Sequence, residues 1–184
     1  LIICSLAGVL LLWLGIYKKI SRKTAAISAA LSLALAGALL LLAVLPGNSF
    51  YGKVITHAEN THGRKLIALT FDDGPSINTP HLLDMLEEYG IPATFFLLGN
   101  QAERHPDIVK RIRAEGHEVG NHSYSHPNLR AVSLARKEEE LRRTDTILRN
   151  LGATPQFMRP PYGSFDAATE KVAESLGLSL MLWS

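Results

Sequence analysis

The chain has 184 residues, of which 47% are hydrophobic and 20% are charged, and its formal net charge is +2. These values exclude an intrinsically disordered chain, which combines few apolar residues with a high net charge. The single cysteine, Cys4, excludes a disulfide-rich scaffold. The first 46 residues contain four basic side chains and no acidic one, so the basic excess is not a stripe on the folded part, and nucleic-acid binding is not expected.

Two uncharged apolar runs open the chain, at 1–17 and 25–45. As a helix, the second run would span roughly 31 Å, close to the ~30 Å hydrocarbon core of a bilayer. The basic segment 18–23 between the runs is predicted to stay in the cytoplasm. Residues 1–46 are therefore predicted to form a transmembrane helical hairpin that anchors the rest of the chain outside the cell membrane. A cleaved signal peptide is the alternative, and it would also export the rest of the chain.

A linker is predicted over 47–63, where polar residues show no sustained periodicity. From residue 64 onward, short apolar runs alternate with amphipathic segments. Strands are predicted at 66–71, 93–98, 117–120, 156–158 and 178–183, and helices at 80–89, 106–115, 133–151 and 166–176. The charged residues 137–140 are predicted to form a solvated helix face. Alternating strands and helices predict an α/β fold with a mainly parallel sheet or barrel.

Polar residues follow the ends of three predicted strands. They are Asp72 and Asp73 after the first, His122 and His126 after the third, and Arg159 and Tyr162 after the fourth. In parallel α/β folds these strand ends share one edge, where functional sites are built. Two imidazoles and one carboxylate suit zinc and related metals, and they leave positions open for water or substrate. A simple turn at the aspartates and two exposed loop histidines are the alternatives.

The two aspartates are expected to have different tasks. Adjacent residues of an extended chain point to opposite sides, so Asp72 and Asp73 would not share one partner. The stiff loop at Pro160 and Pro161 would aim Arg159 at the same edge, where a permanently charged guanidinium holds a nearby carboxylate ionised.

Three motifs occur in a fixed order: Thr70-Phe71-Asp72-Asp73-Gly74-Pro75, His122-Ser123-Tyr124-Ser125-His126 and Arg159-Pro160-Pro161-Tyr162-Gly163. Together they resemble the polysaccharide deacetylases, the NodB-homology group that forms carbohydrate esterase family 4. The resemblance covers 64–184 and implies a distorted (β/α) barrel. That segment would be an incomplete domain, because the later motifs of the family, including a histidine that acts as general acid, do not occur in the sequence.

The resemblance also implies roles for the six polar residues. The implied ligands of a divalent metal, usually zinc, are Asp73, His122 and His126. Asp72 would be the general base, and Arg159 would position and tune it. The backbone N–H of Tyr162 would donate to the oxyanion.

The implied reaction is hydrolysis of N-acetyl groups from an extracellular aminosugar polymer. Peptidoglycan N-acetylglucosamine is the expected substrate, because an anchored domain stays close to an immobile cell wall, and chitin-like oligomers come second. A non-catalytic carbohydrate-binding module on the same fold, or an inactive fragment, is the alternative. The presence of Asp72 argues against a binding module, which needs no base.

Overall fold

The computed structural model describes residues 21–44, 54–57, 62–63 and 65–183. The chain divides into two compact units, Leu1–Phe50 and Tyr51–Ser184. In the first unit, helix α1 runs over Arg22–Val44 and includes nearly all of the second predicted apolar run. Among the residues described, no helix combines the length and the apolar content needed to cross a membrane. The first predicted helix, 1–17, and residues 18–20 of the basic segment lie outside the described residues.

The second unit contains a parallel sheet. Its described strands are β1 (Val54–Ile55), β2 (Thr70–Gly74), β3 (Thr94–Leu97), β4 (Glu118–Asn121), β5 (Phe157–Met158) and β6 (Ser179–Met181). They lie in the order β1-β6-β5-β4-β3-β2, and every neighbouring pair is parallel. From β2 to β6 the spatial order follows the chain order, as expected when helices connect successive parallel strands. The predicted α/β fold with a parallel sheet is confirmed.

Helices follow the strands of this sheet. They are α2 (Thr79–Tyr89), α3 (Gly99–Arg104), α4 (Pro106–Ala114), α5 (Leu134–Asn150) and α6 (Ala167–Ser175), with 3-10 turns at Leu129–Ala131 and Pro161–Gly163. Local sequence explains several of the helix ends. Helix α2 has a proline in its first turn and ends at Gly90, whose φ of +61° suits a residue without Cβ. The Ser133 hydroxyl caps α5 by accepting from the Arg136 N–H.

The predicted strand 66–71 begins only at Thr70. In the described sheet β2 is an edge strand with β3 as its single neighbour. Residues 65–69 have irregular backbone, and Ile67 is 93% exposed. Because no second strand covers them, these apolar residues do not extend the ladder as their composition predicted.

Two groups of buried side chains hold the unit together, and α5 contributes to both. Phe95 of β3 and Leu148 of α5 belong to the first group. Met158 of β5 and Leu141 of α5 belong to the second. Burial of each such side chain contributes about 1.5–3 kcal/mol. Helix α5 is therefore packed against the core at two points, Leu141 and Leu148, and its position in the unit is fixed.

The sheet is curved. The guanidinium of Arg159, directly after β5, donates to Thr70 Oγ1 of β2 at 2.8 Å. Strands β4 and β3 lie between these two, so a flat sheet would separate β5 and β2 by roughly 14 Å. One arginine side chain spans the gap only because the strands curve toward one another, as in an arc of a (β/α) barrel.

Candidate active site

All six predicted polar residues lie at the carboxyl edge of the curved sheet, at the ends of β2, β4 and β5. Three of them converge on one point. Asp73 Oδ1 lies 3.3 Å from His122 Nε2 and 3.2 Å from His126 Nε2. These ligand atoms all lie within 4.8 Å of one another, which is a grouping that can hold a metal ion.

The tautomer of His122 follows from its contacts. Its Nδ1 lies 2.6 Å from the carbonyl oxygen of Arg159, and a carbonyl only accepts, so Nδ1 carries the proton. The Nε2 lone pair then faces Asp73. Burial lowers the pKa of His122 and outweighs the opposing effect of this hydrogen bond, so the ring is neutral near pH 7.

This donor set fits a divalent metal. It offers a neutral imidazole nitrogen oriented by a backbone carbonyl, a second imidazole and a carboxylate oxygen, which are the ligand types of catalytic zinc sites. The Asp73 side chain is 64% exposed, so the group is open to solvent on one side. A bound ion would therefore have room for water or substrate.

The backbone at these positions is unusual. Left-handed φ values occur at Asp73 (+67°), Ser123 (+69°), His126 (+62°) and Tyr162 (+59°), none of which is glycine. Such conformations cost about 1–2 kcal/mol each and persist where the surrounding structure holds them. These residues lie together at one edge of the sheet. Their strained backbone indicates a functional site, where the placement of side chains is kept at a cost in stability.

The left-handed turn at Asp73 corrects one expectation. The register between β2 and β3 shifts between Phe71 and Gly74, so the two aspartates are not on a regular extended strand. They nevertheless have different partners. Asp73 faces the two histidines, whereas Asp72 Oδ1 accepts from Arg159 Nη1 at 2.8 Å.

Arg159 is firmly held. Its side chain is 4% exposed, and its guanidinium carbon lies 4.1 Å above the Phe96 ring. Besides Thr70 and Asp72, it donates to the carbonyl oxygens of Met181 and Leu182, both at 3.4 Å. With its donors occupied in this way, the guanidinium is held in one position and directs Nη1 at Asp72.

Tyr162 is at the tip of the Pro161–Gly163 turn. The N–H groups of Gly163 and Ser164 donate back to the carbonyl oxygens of Pro160 and Pro161, at 2.9 and 3.0 Å, and close the turn. Tyr162 is 68% exposed, and the centroid of its ring lies 4.6 Å from that of the His126 ring. The turn therefore lies directly beside the group of residues that can hold a metal ion.

One prediction near the site is wrong in part. Glu138 and Glu139 are exposed, as a solvated face over 137–140 requires, but Lys137 is 4% exposed and Glu140 1% exposed. Both lie on the face of α5 that also buries Leu141, Thr144 and Leu148. The helical spacing of Leu141 and Leu148 indicates this buried face in the sequence. The charged residues on the same face led to the prediction that it is solvated.

The comparisons with known proteins agree with this geometry. The family model described as "Polysaccharide deacetylase" matches residues 59–181, more than half of the chain. The chain belongs to the polysaccharide deacetylase family. Membership confirms the predicted resemblance to carbohydrate esterases, and the match includes all six site residues.

Two curated relatives show the range of the family. The chain is 48% identical over 120 residues to a peptidoglycan-N-acetylglucosamine deacetylase of Bacillus cereus, covering 64% of this chain and 44% of that protein. It is 41% identical over 122 residues to a chitin deacetylase of Colletotrichum lindemuthianum, covering 63% of this chain and 49% of that protein. The match thus spans less than half the length of either relative.

Solved structures share the fold. A family 4 carbohydrate esterase from Streptomyces lividans, in complex with acetate, superimposes with a TM-score of 0.63 at 38% identity, covering 64% of this chain and 62% of that one. A family 4 pseudoenzyme from Bacillus anthracis superimposes with a TM-score of 0.62 at 28% identity, covering 66% and 44%. Since active and inactive proteins share this fold, function has to be argued from the site residues.

Proposed function

We propose that this protein is a metal-dependent N-deacetylase of an aminosugar polymer. The observation that supports this most strongly is that a possible metal site and a positioned carboxylate lie side by side at one edge of the sheet. Asp73, His122 and His126 converge to hold a metal, and Asp72 beside them is aimed by Arg159. A carboxylate that is free to accept a proton next to a metal group is the arrangement of a hydrolase.

The metal group fits zinc best. Asp73, His122 and His126 would hold the ion, and the ion when bound would supply Lewis acidity to the acetyl carbonyl and to water. The carbonyl of Arg159 keeps the His122 ring in the tautomer that binds. The exposed side of Asp73 leaves the approach open for a polymer.

Two parts of the remaining work, the removal of a proton from water and the stabilisation of the oxyanion, are assigned to the chain's own residues. The Asp72 carboxylate takes the proton of the attacking water, and Arg159 holds it in place at 2.8 Å. The backbone N–H of Tyr162 donates to the oxygen on which negative charge develops, where loss of one such donor typically costs about 2.7–4 kcal/mol. The closed Pro161–Gly163 turn supports that role because it fixes the Tyr162 backbone before substrate arrives.

Peptidoglycan N-acetylglucosamine is the substrate we propose. The support is the 48% identity to a Bacillus cereus deacetylase named for that sugar. A chitin-type polymer is the second candidate, from the 41% identity to the Colletotrichum lindemuthianum enzyme. Both polymers carry the N-acetyl group on a glucosamine ring, so the same site chemistry would serve either.

We also propose that the site acts outside the cell membrane. The support is the sequence of residues 1–46, with two uncharged runs separated by the basic segment 18–23, which would lie in the cytoplasm. Protease added to intact cells should digest the unit Tyr51–Ser184 and leave a short N-terminal fragment in the membrane fraction. Recovery of the uncleaved protein from the cell interior would contradict this location.

A non-catalytic carbohydrate-binding module is the alternative function. The likeness to a Bacillus anthracis pseudoenzyme favours it, because that protein shares the fold. The presence of Asp72 paired with Arg159 favours catalysis. A module would bind the polymer and release no acetate.

Replacement of the base separates the two functions. In an assay of acetate release from N-acetylglucosamine polymers, we expect Asp72→Asn to lower kcat by about 10²–10⁴-fold, because the amide cannot accept the proton of water. Asp107→Asn is the matched control, since it makes the same change on a side chain that is 92% exposed on α4. Polymer binding without acetate release from the unaltered protein would favour the binding module instead.

A further inference from the structure

The segment between the two metal-binding histidines, residues 122–126, has an unusual conformation. We call it the ligand loop. Ser123 and His126 both have left-handed φ values, +69° and +62°, although neither is glycine. The loop also has no regular secondary structure of its own. Contacts from outside the loop therefore have to hold it in the shape that brings His122 and His126 together.

Side chains hold the loop, mostly from outside it and, at Ser123, from within it. The N–H of Ser123 donates to Asn121 Oδ1 at 2.9 Å, and the N–H of His126 donates to Ser123 Oγ at 3.2 Å. The two central N–H groups, of Tyr124 and Ser125, both donate to Glu140 Oε2 at 2.8 Å. Each backbone N–H from 123 to 126 thus donates to a side-chain oxygen. The N–H groups of Tyr124 and Ser125 both donate to the same carboxylate, that of Glu140.

Both carboxylate oxygens of Glu140 accept hydrogen bonds from the loop. Its Oε1 accepts from the Ser125 hydroxyl at 2.6 Å and pairs with Arg136 Nη2 at 2.6 Å. The residue is 1% exposed, and a buried carboxylate is costly unless its lone pairs are satisfied. Three donors from the loop and one guanidinium meet that requirement, so most of the contacts that satisfy the Glu140 carboxylate come from the loop.

The neighbouring backbone reinforces this arrangement. Leu141, next to Glu140 on α5, accepts at its carbonyl from Asn121 Nδ2 at 2.9 Å. On the other side, the N–H groups of Gly99 and Asn100 donate to the carbonyls of Ser123 and Tyr124, at 3.0 and 3.1 Å. The loop is held between α3 and α5, and Glu140 is the buried carboxylate that accepts from its backbone.

We propose that Glu140 is a positioning residue for the metal-binding histidines. It touches neither metal nor substrate, and it acts by holding the ligand loop so that His122 and His126 converge with Asp73. The inference rests on the proposed function, because it assumes that these three residues bind a metal. Its consequence is that the buried face of α5 sets the metal affinity.

Zinc binding tests the proposal without reference to catalysis. The purified full chain is titrated with zinc ion, and the visible absorption of its cobalt(II) form reports the geometry of the ligands. Glu140→Ala is expected to weaken zinc affinity by about 10–100-fold, as loss of a residue that orients metal ligands commonly does. Glu140→Gln is expected to have an intermediate affinity, because its carbonyl oxygen still accepts from the loop while its amide faces Arg136.

The chain offers a closely matched control. Glu139→Gln removes the same charge one residue away, and Glu139 also pairs with Arg136, at 2.8 Å. Its side chain is 55% exposed, and its partner lies on α5 rather than on the loop. We expect zinc affinity within twofold of the unaltered protein and an unchanged cobalt spectrum.

The possible outcomes distinguish the positioning role of Glu140 from the proposed metal-dependent function. Weaker zinc affinity and an altered cobalt spectrum in Glu140→Gln, at a melting temperature close to that of Glu139→Gln, support the positioning role. Ser125→Ala, which removes one of three loop donors, gives a second reading if Glu140→Ala does not fold. Zinc affinity and cobalt spectra equal to the unaltered protein in Glu140→Gln and Ser125→Ala overturn the inference. Failure of the unaltered protein to bind zinc overturns the proposed function instead.

Discussion

Arg159 links the proposed base, Asp72, to the proposed metal ligands through two different parts of one residue. Its guanidinium pairs with Asp72, and its carbonyl accepts from His122 Nδ1. The backbone part survives any substitution of the side chain. Base positioning and metal-ligand orientation can therefore be separated experimentally at this single position.

Arg159→Lys makes that separation. A lysine keeps the charge but lacks the planar guanidinium, which stacks on Phe96 while its Nη1 donates to both Asp72 and Thr70. We expect kcat for acetate release to fall about 10–100-fold while zinc affinity stays within twofold. Arg149→Lys, on an exposed face of α5, is the control and should change neither quantity. Loss of zinc affinity equal to the loss of kcat would contradict this division of roles.

At the scale of elements, α5 connects the core to the site. Its buried face carries Leu141 and Leu148 into the two apolar groups, and Glu140 into the ligand loop. The same face presents Lys137, 5% exposed at its side chain, whose Nζ lies 2.7 Å from Asp166 Oδ2. Asp166 also caps α6, since its Oδ1 accepts from the Thr169 N–H at 2.9 Å.

The Lys137–Asp166 pair has a predictable dependence on pH. Burial of Asp166 opposes ionisation, but hydrogen bonds from Lys137 and Thr169 outweigh it and lower the pKa of Asp166 to about 2. A carboxyl whose pKa is lowered by folding stabilises the folded state above its unfolded pKa, near 3.9, and this stabilisation is lost as pH falls toward 2.

Urea unfolding of Asp166→Asn at two pH values measures this contribution. At pH 7 we expect the free energy of unfolding to fall by about 1–2 kcal/mol, a range that allows for solvent screening at a side chain 35% exposed. At pH 2 the difference between the variant and the unaltered protein should nearly vanish. Asp166→Ala should lose about 1 kcal/mol more at pH 7, because the cap is also removed. A difference independent of pH would show that the ion pair contributes nothing.

For the whole molecule, the parallel α/β fold could be predicted from the sequence because strands and helices alternate with clear terminators, such as Gly90 after α2. The meeting of Asp73, His122 and His126 could also be predicted, since parallel strands bring their carboxyl ends to one edge. The short helix α3 was not predicted, because its six residues carry almost no apolar period.

Other features depend on contacts distant in sequence and had no local signal. The tautomer of His122 is set by Arg159, 37 residues later. The burial of Glu140 depends on the ligand loop 15 or 16 residues before it, whereas its own neighbours are charged and suggested an exposed face. Likewise, the irregular backbone of 66–69 reflects the position of β2 at the edge of the described sheet, and that position is a property of the whole fold.

Metal dependence of acetate release tests the central claim most directly. The protein is stripped with a chelator, and acetate release from an N-acetylglucosamine polymer is measured before and after zinc is restored. We predict that release falls to background when the metal is removed and returns with about one equivalent of zinc, because Asp73, His122 and His126 form one metal group. Acetate release that continues unchanged in the metal-free protein would contradict the account.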